Sequence, residues 1–326
     1  MEEVQNPTGK EVERMKKLYQ KFKNMKYRNK LRALLVTASL VPVILIALYS
    51  HMRMSSFVRQ REMEDMVTLL EQTRENIDSQ IAVYTSLMNY LTYAPDIEET
   101  IREKNMDNYT AYEQYMKVAD PLLTVPKSYH DAILQIQLFA DSIKVEHEYT
   151  LVPLEKIKDK WWNAELKEDV RIQWMVDQDK KKIVAARKIY DSRKLEAVLC
   201  LTLDYDKIFQ PFAGMAEGGG EVAATDGRGH LLYEDFSFED MDKEDPAYQA
   251  FISELKNDFV LQKVGEKYNY AKGSSTETGW NFYFFRSKKA TSEAVKGLFL
   301  EELPLIFLCT LLVFVLGTFF SRIFTK

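Results

Sequence analysis

The sequence predicts an α+β fold: a long N-terminal helix and two antiparallel-sheet modules, the whole flanked by two transmembrane helices. Three observations predict it. Two runs, Ala33 to Tyr49 and Leu303 to Phe320, contain no charged residue. Residues 54–93 contain no Gly and no Pro and keep helical spacing. Beyond Pro95 that spacing gives way to short alternating segments separated by turn residues.

The first run extends about 26 Å as a helix, close to the thickness of a hydrocarbon core. Arg32 stands before it, where its stem can snorkel to the headgroups. Pro42 lies mid-run, as membrane helices tolerate. A buried core helix and a cleavable signal peptide are the competing readings. The second run argues against the former. A long basic leader, and no small-x-small site in the residues after Tyr49, argue against the latter.

Charge sets the expected sides. Residues 1–32 and 321–326 together carry net +8, while 33–321 carry net −13. Lys and Arg concentrate in cytoplasmic flanks, so both termini are expected in the cytoplasm and residues 51–302 outside. The only cysteines are Cys200 and Cys309, the second inside an apolar run, so no intramolecular disulfide is expected.

In chain order, 12–29 spaces Met15, Leu18, Tyr19, Phe22 and Met25 like an amphipathic helix among lysines. It reads either as a helix on an anionic leaflet or as a flexible tail that fixes topology. In 54–94, Met63, Leu70, Ile77, Tyr84 and Leu91 recur every seven residues. That repeat serves either a seam with a second copy, giving a parallel homodimer, or packing on the protein's own sheet. Tyr109 to Asp120 is helical in character, its end bracketed by Pro121 and Pro126. Ala132 to Ala140 alternates as a strand, with a short second strand expected at His147 to Val152.

A helix or loop follows at 154–166, then strands at Arg171 to Val176, Lys182 to Tyr190 and Leu195 to Leu203. Short turns at Asp177 to Asp179 and Asp191 to Arg193 make these strands antiparallel. In the last, Leu195, Ala197, Leu199, Leu201 and Leu203 face one way and Val198, Cys200, Thr202 and Asp204 the other. A core on the first side and a pocket on the second are expected. Asp204 to Phe212 reads as a capped short helix. Gly218 to Gly220 lack the Lys-Ser/Thr of a phosphate loop. Asp226-Gly227 joins two strands of a smaller sheet, a helix is expected at 245–255, and strands at 267–271 and 280–285. Ser287 to Glu302 then runs as a helix into the second apolar run.

At this point the chain resembles a known family, the double Cache sensor region of bacterial histidine kinases of the YesM-like type. The resemblance is carried by the basic start before the first span, LLEQTRENIDSQI (69–81), KWW (160–162), ARKIYD (186–191), VLCLTLDYDKIF (198–209), ATDGRGHLLY (224–233) and GWNFYFF (279–285). It spans nearly all of residues 30–322. It implies a long helix bearing two PAS-like modules with the ligand usually in the membrane-distal one, and the input half of a two-component receptor. The expected division is a basic tail (1–32), a first span (33–50), a stalk helix (54–94), a distal module (95–204) and a proximal module (205–287). A connecting helix (288–302), a second span (303–320) and a cytoplasmic end (321–326) complete it. Family members continue into kinase domains. This sequence stops six residues after Phe320, and its four histidines fall outside by the expected topology, so no kinase chemistry is expected in it.

Other chemistries are disfavoured by the residues themselves. There is no HExxH, no zinc-ligand spacing and no GxSxG. An acidic outer region disfavours nucleic acid. No cofactor is expected. The partners expected are an unidentified small extracellular ligand and the lipid bilayer. The candidate ligand-binding residues are Trp161, Trp162, Arg187 and Asp204. The tryptophans suit stacking on a ring or an amine, or else plug the space between helix and sheet. Arg187 suits a carboxylate, or else a salt bridge on the sheet. Asp204 suits an ammonium, or else caps the next helix. Trp174 is expected in the core. Amino-acid-binding Cache domains are similar in having an aromatic pair and a later Asp, matching Trp162 and Asp204. Their Arg before the pair is Asp159 here, and the Tyr of the pair is Trp162. A membrane-anchored interaction or structural protein without a small ligand is the alternative function. A water-excluding cavity in the distal module favours the sensor, a filled core the alternative.

Overall fold

The structure is a computed structural model, and it describes residues 27–104, 107–147, 149–217, 220–235 and 267–323. The expected helix at 245–255, Gly218, Gly219 and nearly all of the expected tail helix lie outside the described residues. The chain divides into two compact units, one of Met63–Lys288 and one holding the chain before Met63 together with Lys289 onward.

One uninterrupted helix, α1 (Tyr27–Thr92), runs from the first apolar run through the stalk, with Pro42 inside it. It stops because Ala94 precedes Pro95 and is forced into extended backbone (φ −67°, ψ 129°). Pro95 then opens α2 (Pro95–Arg102), with Asp96 and Glu98 in the first turn. Next comes α3 (Asn108–Val118), capped by Asp107, whose side chain accepts from Thr110 N at 2.8 Å. The expected stop at Pro121 is not a stop. The chain widens into a π-helical turn, Ala119–Thr124, and resumes as α4 (Val125–Tyr129). Pro121 lacks the N–H for a regular turn, and the wider turn accommodates it.

The first sheet has five strands: β1 (Ile133–Ala140), β2 (Leu151–Pro153), β3 (Gln173–Asp177), β4 (Lys182–Asp191) and β5 (Lys194–Asp204), in the order β2-β1-β5-β4-β3. All pairs are antiparallel except the short edge strand β2, which runs parallel to β1. Ser192 (φ 47°) and Arg193 (φ 75°) make the two-residue β4–β5 turn in the left-handed region that such hairpins require. After α5 (Tyr205–Glu217) comes a four-stranded sheet of β6 (Glu221–Thr225), β7 (Leu231–Asp235), β8 (Tyr268–Ser274) and β9 (Asn281–Ser287), ordered β7-β6-β9-β8 and all antiparallel. Gly220 admits β6 beside β9, since a Cβ there would overlap the Phe284 ring. The chain thus forms the long helix and two antiparallel-sheet modules of the expected fold.

One core serves both sheets. Leu70, Ile77, Ile81, Met88 and Leu91 of α1 cluster with Ile183, Ala185, Leu199 and Leu201 of the first sheet and with Phe282 and Phe284 of the second. Trp280 stacks on Phe209 (5.7 Å) and meets Trp174 edge-on (6.4 Å), so Trp174 packs against the core as expected. This decides between the two readings of the seven-residue stripe. Leu70, Ile77, Tyr84 and Leu91 are buried inside the protein's own fold, and only Met63 stays 36% exposed. From Leu70 to Leu91 the stripe therefore packs on the protein's own sheets.

The last helix, α6 (Lys288–Ile323), starts directly after β9. In its own unit it meets α1 where Thr291 Oγ1 donates to Glu62 Oε2 (2.6 Å) and where Phe299 packs on His51 (4.5 Å). Both α1 and α6 contain stretches long and apolar enough to cross a membrane, with mean hydropathy 1.4 and 2.6, and neither stretch is buried.

Candidate functional site

α1 occupies the inner face of the five-stranded sheet, which leaves the outer face to carry a site. Alternation along the strands turns Phe139, Val152, Met175, Val184, Ala186, Val198 and Cys200 outward. Over them lies a lid of two 3-10 turns, Leu154–Asp159 and Trp161–Ala164. The expected polar side of β5 is filled, not hollow. Ile157 and Trp162 of the lid, with Leu166 just after it, close onto it, and Cys200 is fully buried. Burial pushes the Cys200 thiol up to about 12, against smaller opposing effects of the Thr202 side chain and Lys160. Leu195 also joins this outer cluster. The irregular pairing at Ile189/Tyr190 takes Leu195 off the face it shares with Leu199 in a regular strand.

The expected site residues are not brought together. Trp162 is 3% exposed and meets Phe139 edge-on at 5.9 Å, so it is the plug beneath the lid. Trp161 is half-buried at the rim, with Lys180 Nζ 5.4 Å from its ring. The two indoles therefore form no clamp. Arg187 lies on the inner face, donating to Asn89 Oδ1 (2.8 Å) and the Tyr93 hydroxyl (3.2 Å) of the α1 end. Asp204 is the N-cap of α5, its Oδ1 accepting from Asp206 N (3.0 Å) and Lys207 N (3.3 Å).

Sequence reading missed the cation that does face outward. Lys188 is 8% exposed, donates to the Leu166 carbonyl at 3.3 Å and lies 3.7 Å from the exposed Glu168. Parity carried the signal, since Val184, Ala186 and Lys188 share one face. Lys160 Nζ sits 5.5 Å from the buried Phe139 ring, on the sheet face that the lid covers, while Lys180 is the cation at Trp161.

Two clefts open elsewhere on the same unit. One, of about 570 Å³, lies between the lid end, the edge of β3 and two turns of the second sheet, with Trp174 and Trp280 on its floor. Three of the charged side chains lining it are engaged locally. Arg171 pairs with Asp169 at 2.6 Å and holds that carboxyl at about 2. Asp226 accepts from Arg228 N and His230 N within its own turn. The other, of about 440 Å³, is lined by Asn76, Gln80, Tyr84, Asp131, Lys207 and Gln210, with Lys207 paired to Asp131 at 3.0 Å. Among the described residues no group of three or more His, Cys, Asp or Glu is placed to hold a metal ion.

No protein-family model matches this chain. No curated protein matches it. Solved structures do. The ligand-binding domain of the Campylobacter jejuni chemoreceptor Tlp3 in complex with L-valine aligns at 13% identity, over 73% of this chain and 97% of that one, with a TM-score of 0.47. The extracellular domain of the putative histidine kinase vpHK1S-Z8 aligns at 9% identity over 73% and 96%, with a TM-score of 0.46. A domain of a putative sensory box/GGDEF family protein from Vibrio parahaemolyticus aligns at 9% identity over 72% and 98%, with a TM-score of 0.45. The first is described as a ligand-binding domain and the second as an extracellular domain, neither as a catalytic domain.

Proposed function

We propose that the chain is the extracytoplasmic input region of a two-component receptor, binding a small extracellular ligand and passing its state across the membrane. One observation carries this reading. The helix that forms the spine of the two-sheet core, α1, is the same unbroken helix that holds the first apolar run. A change in the sheets is therefore built into an element that enters the bilayer, and β9 leads without a break into the second such helix. The basic tails support both ends in the cytoplasm, with the two sheets outside. The sequence resemblance to double Cache regions supports the same assignment, with the five-stranded sheet as the membrane-distal module.

Ligand access in this reading is at the lid edge, where Trp161 offers a half-buried ring with Lys180 Nζ 5.4 Å away. Opening the lid exposes the outer face of the sheet. A filled outer face favours a second reading, a membrane-anchored interaction protein with no small ligand. Thermal unfolding of the full chain in lipid nanodiscs, with a panel of amino acids, amines, carboxylates and monosaccharides, separates the two. A ligand at about a hundred times its Kd adds about 2.7 kcal/mol, or about 5–11 °C in midpoint for a unit of this size. The sensor reading requires such a rise for at least one compound and its loss in Trp161→Ala. A flat response across the panel supports the second reading.

A further inference from the structure

The two sheets share an apolar core with α1, but one polar cluster ties the second sheet to that helix directionally. Asp78 lies on α1 and is nearly buried. Both its oxygens are engaged. Ser275 Oγ donates to Oδ1, Arg74 Nη1 donates to Oδ2 at 2.7 Å, and Thr276 N reaches Oδ2 at 3.4 Å. Ser275, itself buried, accepts from Glu277 N (3.2 Å), Thr278 N (3.0 Å) and Thr278 Oγ1 (2.9 Å). Thr278 Oγ1 in turn accepts from Trp280 N at 3.2 Å, and Ser275 N donates to Trp280 O at 2.7 Å. A continuous hydrogen-bonded path thus runs from α1 through the β8–β9 turn to the start of β9.

Apolar contacts tolerate sliding because they have no direction, whereas a buried carboxylate with named donors does not. Removing one partner leaves the buried Asp78 or Ser275 unsatisfied at the centre of the cluster, so the cluster makes or breaks as a unit. We infer that Asp78 and Ser275 form a latch that fixes the β8–β9 turn at one register on α1, and that its release lets this hairpin shift along the helix without unfolding either sheet. Because α6 begins at Lys288, directly after β9 ends at Ser287, the hairpin's position is handed on to the second apolar helix.

The test is hydrogen exchange of the full chain in lipid nanodiscs, read by segment. In Asp78→Asn and in Ser275→Ala the amides of 268–287 should exchange about tenfold faster or more, while those of 183–203 keep the wild-type rate. The double variant should be no faster than Asp78→Asn alone, because both changes break one unit. Unchanged exchange at 268–287, equal acceleration in both sheets, or additive effects in the double variant each overturn the latch. Should Asp78→Asn not fold, Ser275→Ala leaves Asp78 paired to Arg74 and gives the same segment comparison.

Discussion

Ile77→Ala tests whether the apolar stripe of α1 belongs to this chain's own core. Ile77 is 0% exposed, in a cluster with Leu70, Ile81 and strand residues of both sheets. Truncating such a side chain removes its transfer free energy and leaves a cavity, costing about 2–5 kcal/mol. For a unit of this size each kcal/mol moves the midpoint by about 2–4 °C, so a 3 kcal/mol loss is a fall of about 6–12 °C. Val83 lies on the same helix but is 45% exposed, and Val83→Ala should change stability by less than about 0.5 kcal/mol. The assay is thermal unfolding of the full chain in nanodiscs over a wide range of protein-to-lipid ratio. The fall for Ile77→Ala should be the same at every ratio. A fall that vanishes as the chains are diluted in the bilayer would mean that the stripe is covered by a second chain, and an unchanged midpoint would remove it from any core.

Cys200 should resist maleimide in the native state at pH 8 and react once the chain is denatured. Its folded value, about 12, lies above the ordinary value of 9.0 because burial disfavours the thiolate. The sign follows. Its contribution to stability is complete below about pH 9, where the unfolded thiol is also protonated, and is lost as pH rises towards 12. Unfolding midpoints measured between pH 8 and 11 in wild type and Cys200→Ala should converge in that direction. Asp204→Ala should cost about 0.5–2 kcal/mol, as loss of a helix cap does, measured by the same unfolding assay. A variant with unchanged stability would return Asp204 to the list of ligand contacts.

Much of the fold was legible because its signals are local. Alternation and tight turns gave β4 and β5 to within a residue or two, and the absence of Gly and Pro gave α1. What covers a face was not legible. A seven-residue stripe states that one side of a helix is apolar, and both a partner helix and the chain's own sheets satisfy it. The same limit applied to the tryptophan pair, where adjacency in sequence concealed opposite fates in a 3-10 turn. Trp162 went under the lid and Trp161 to its rim. Asp204 was legible as a cap, since it stands just before a helix. Strand parity puts Arg187 with Ile183 and Ala185 on the helix side, and the same parity gives Lys188 to the outer face. The π-helical turn at Pro121 and the displaced Leu195 depend on backbone irregularities that no periodicity announces.

Sidedness tests the central claim most directly, since an input region must lie across the membrane from both tails. The measurement uses single-cysteine variants in a bacterial host, with Cys200 and Cys309 replaced by Ser, and a membrane-impermeant maleimide. Val145 is 72% exposed on the two-sheet unit. Val145→Cys should label in intact cells, and Lys326→Cys only after the membrane is permeabilised. Labelling of Lys326→Cys in intact cells, or protection of Val145→Cys until lysis, would contradict the account.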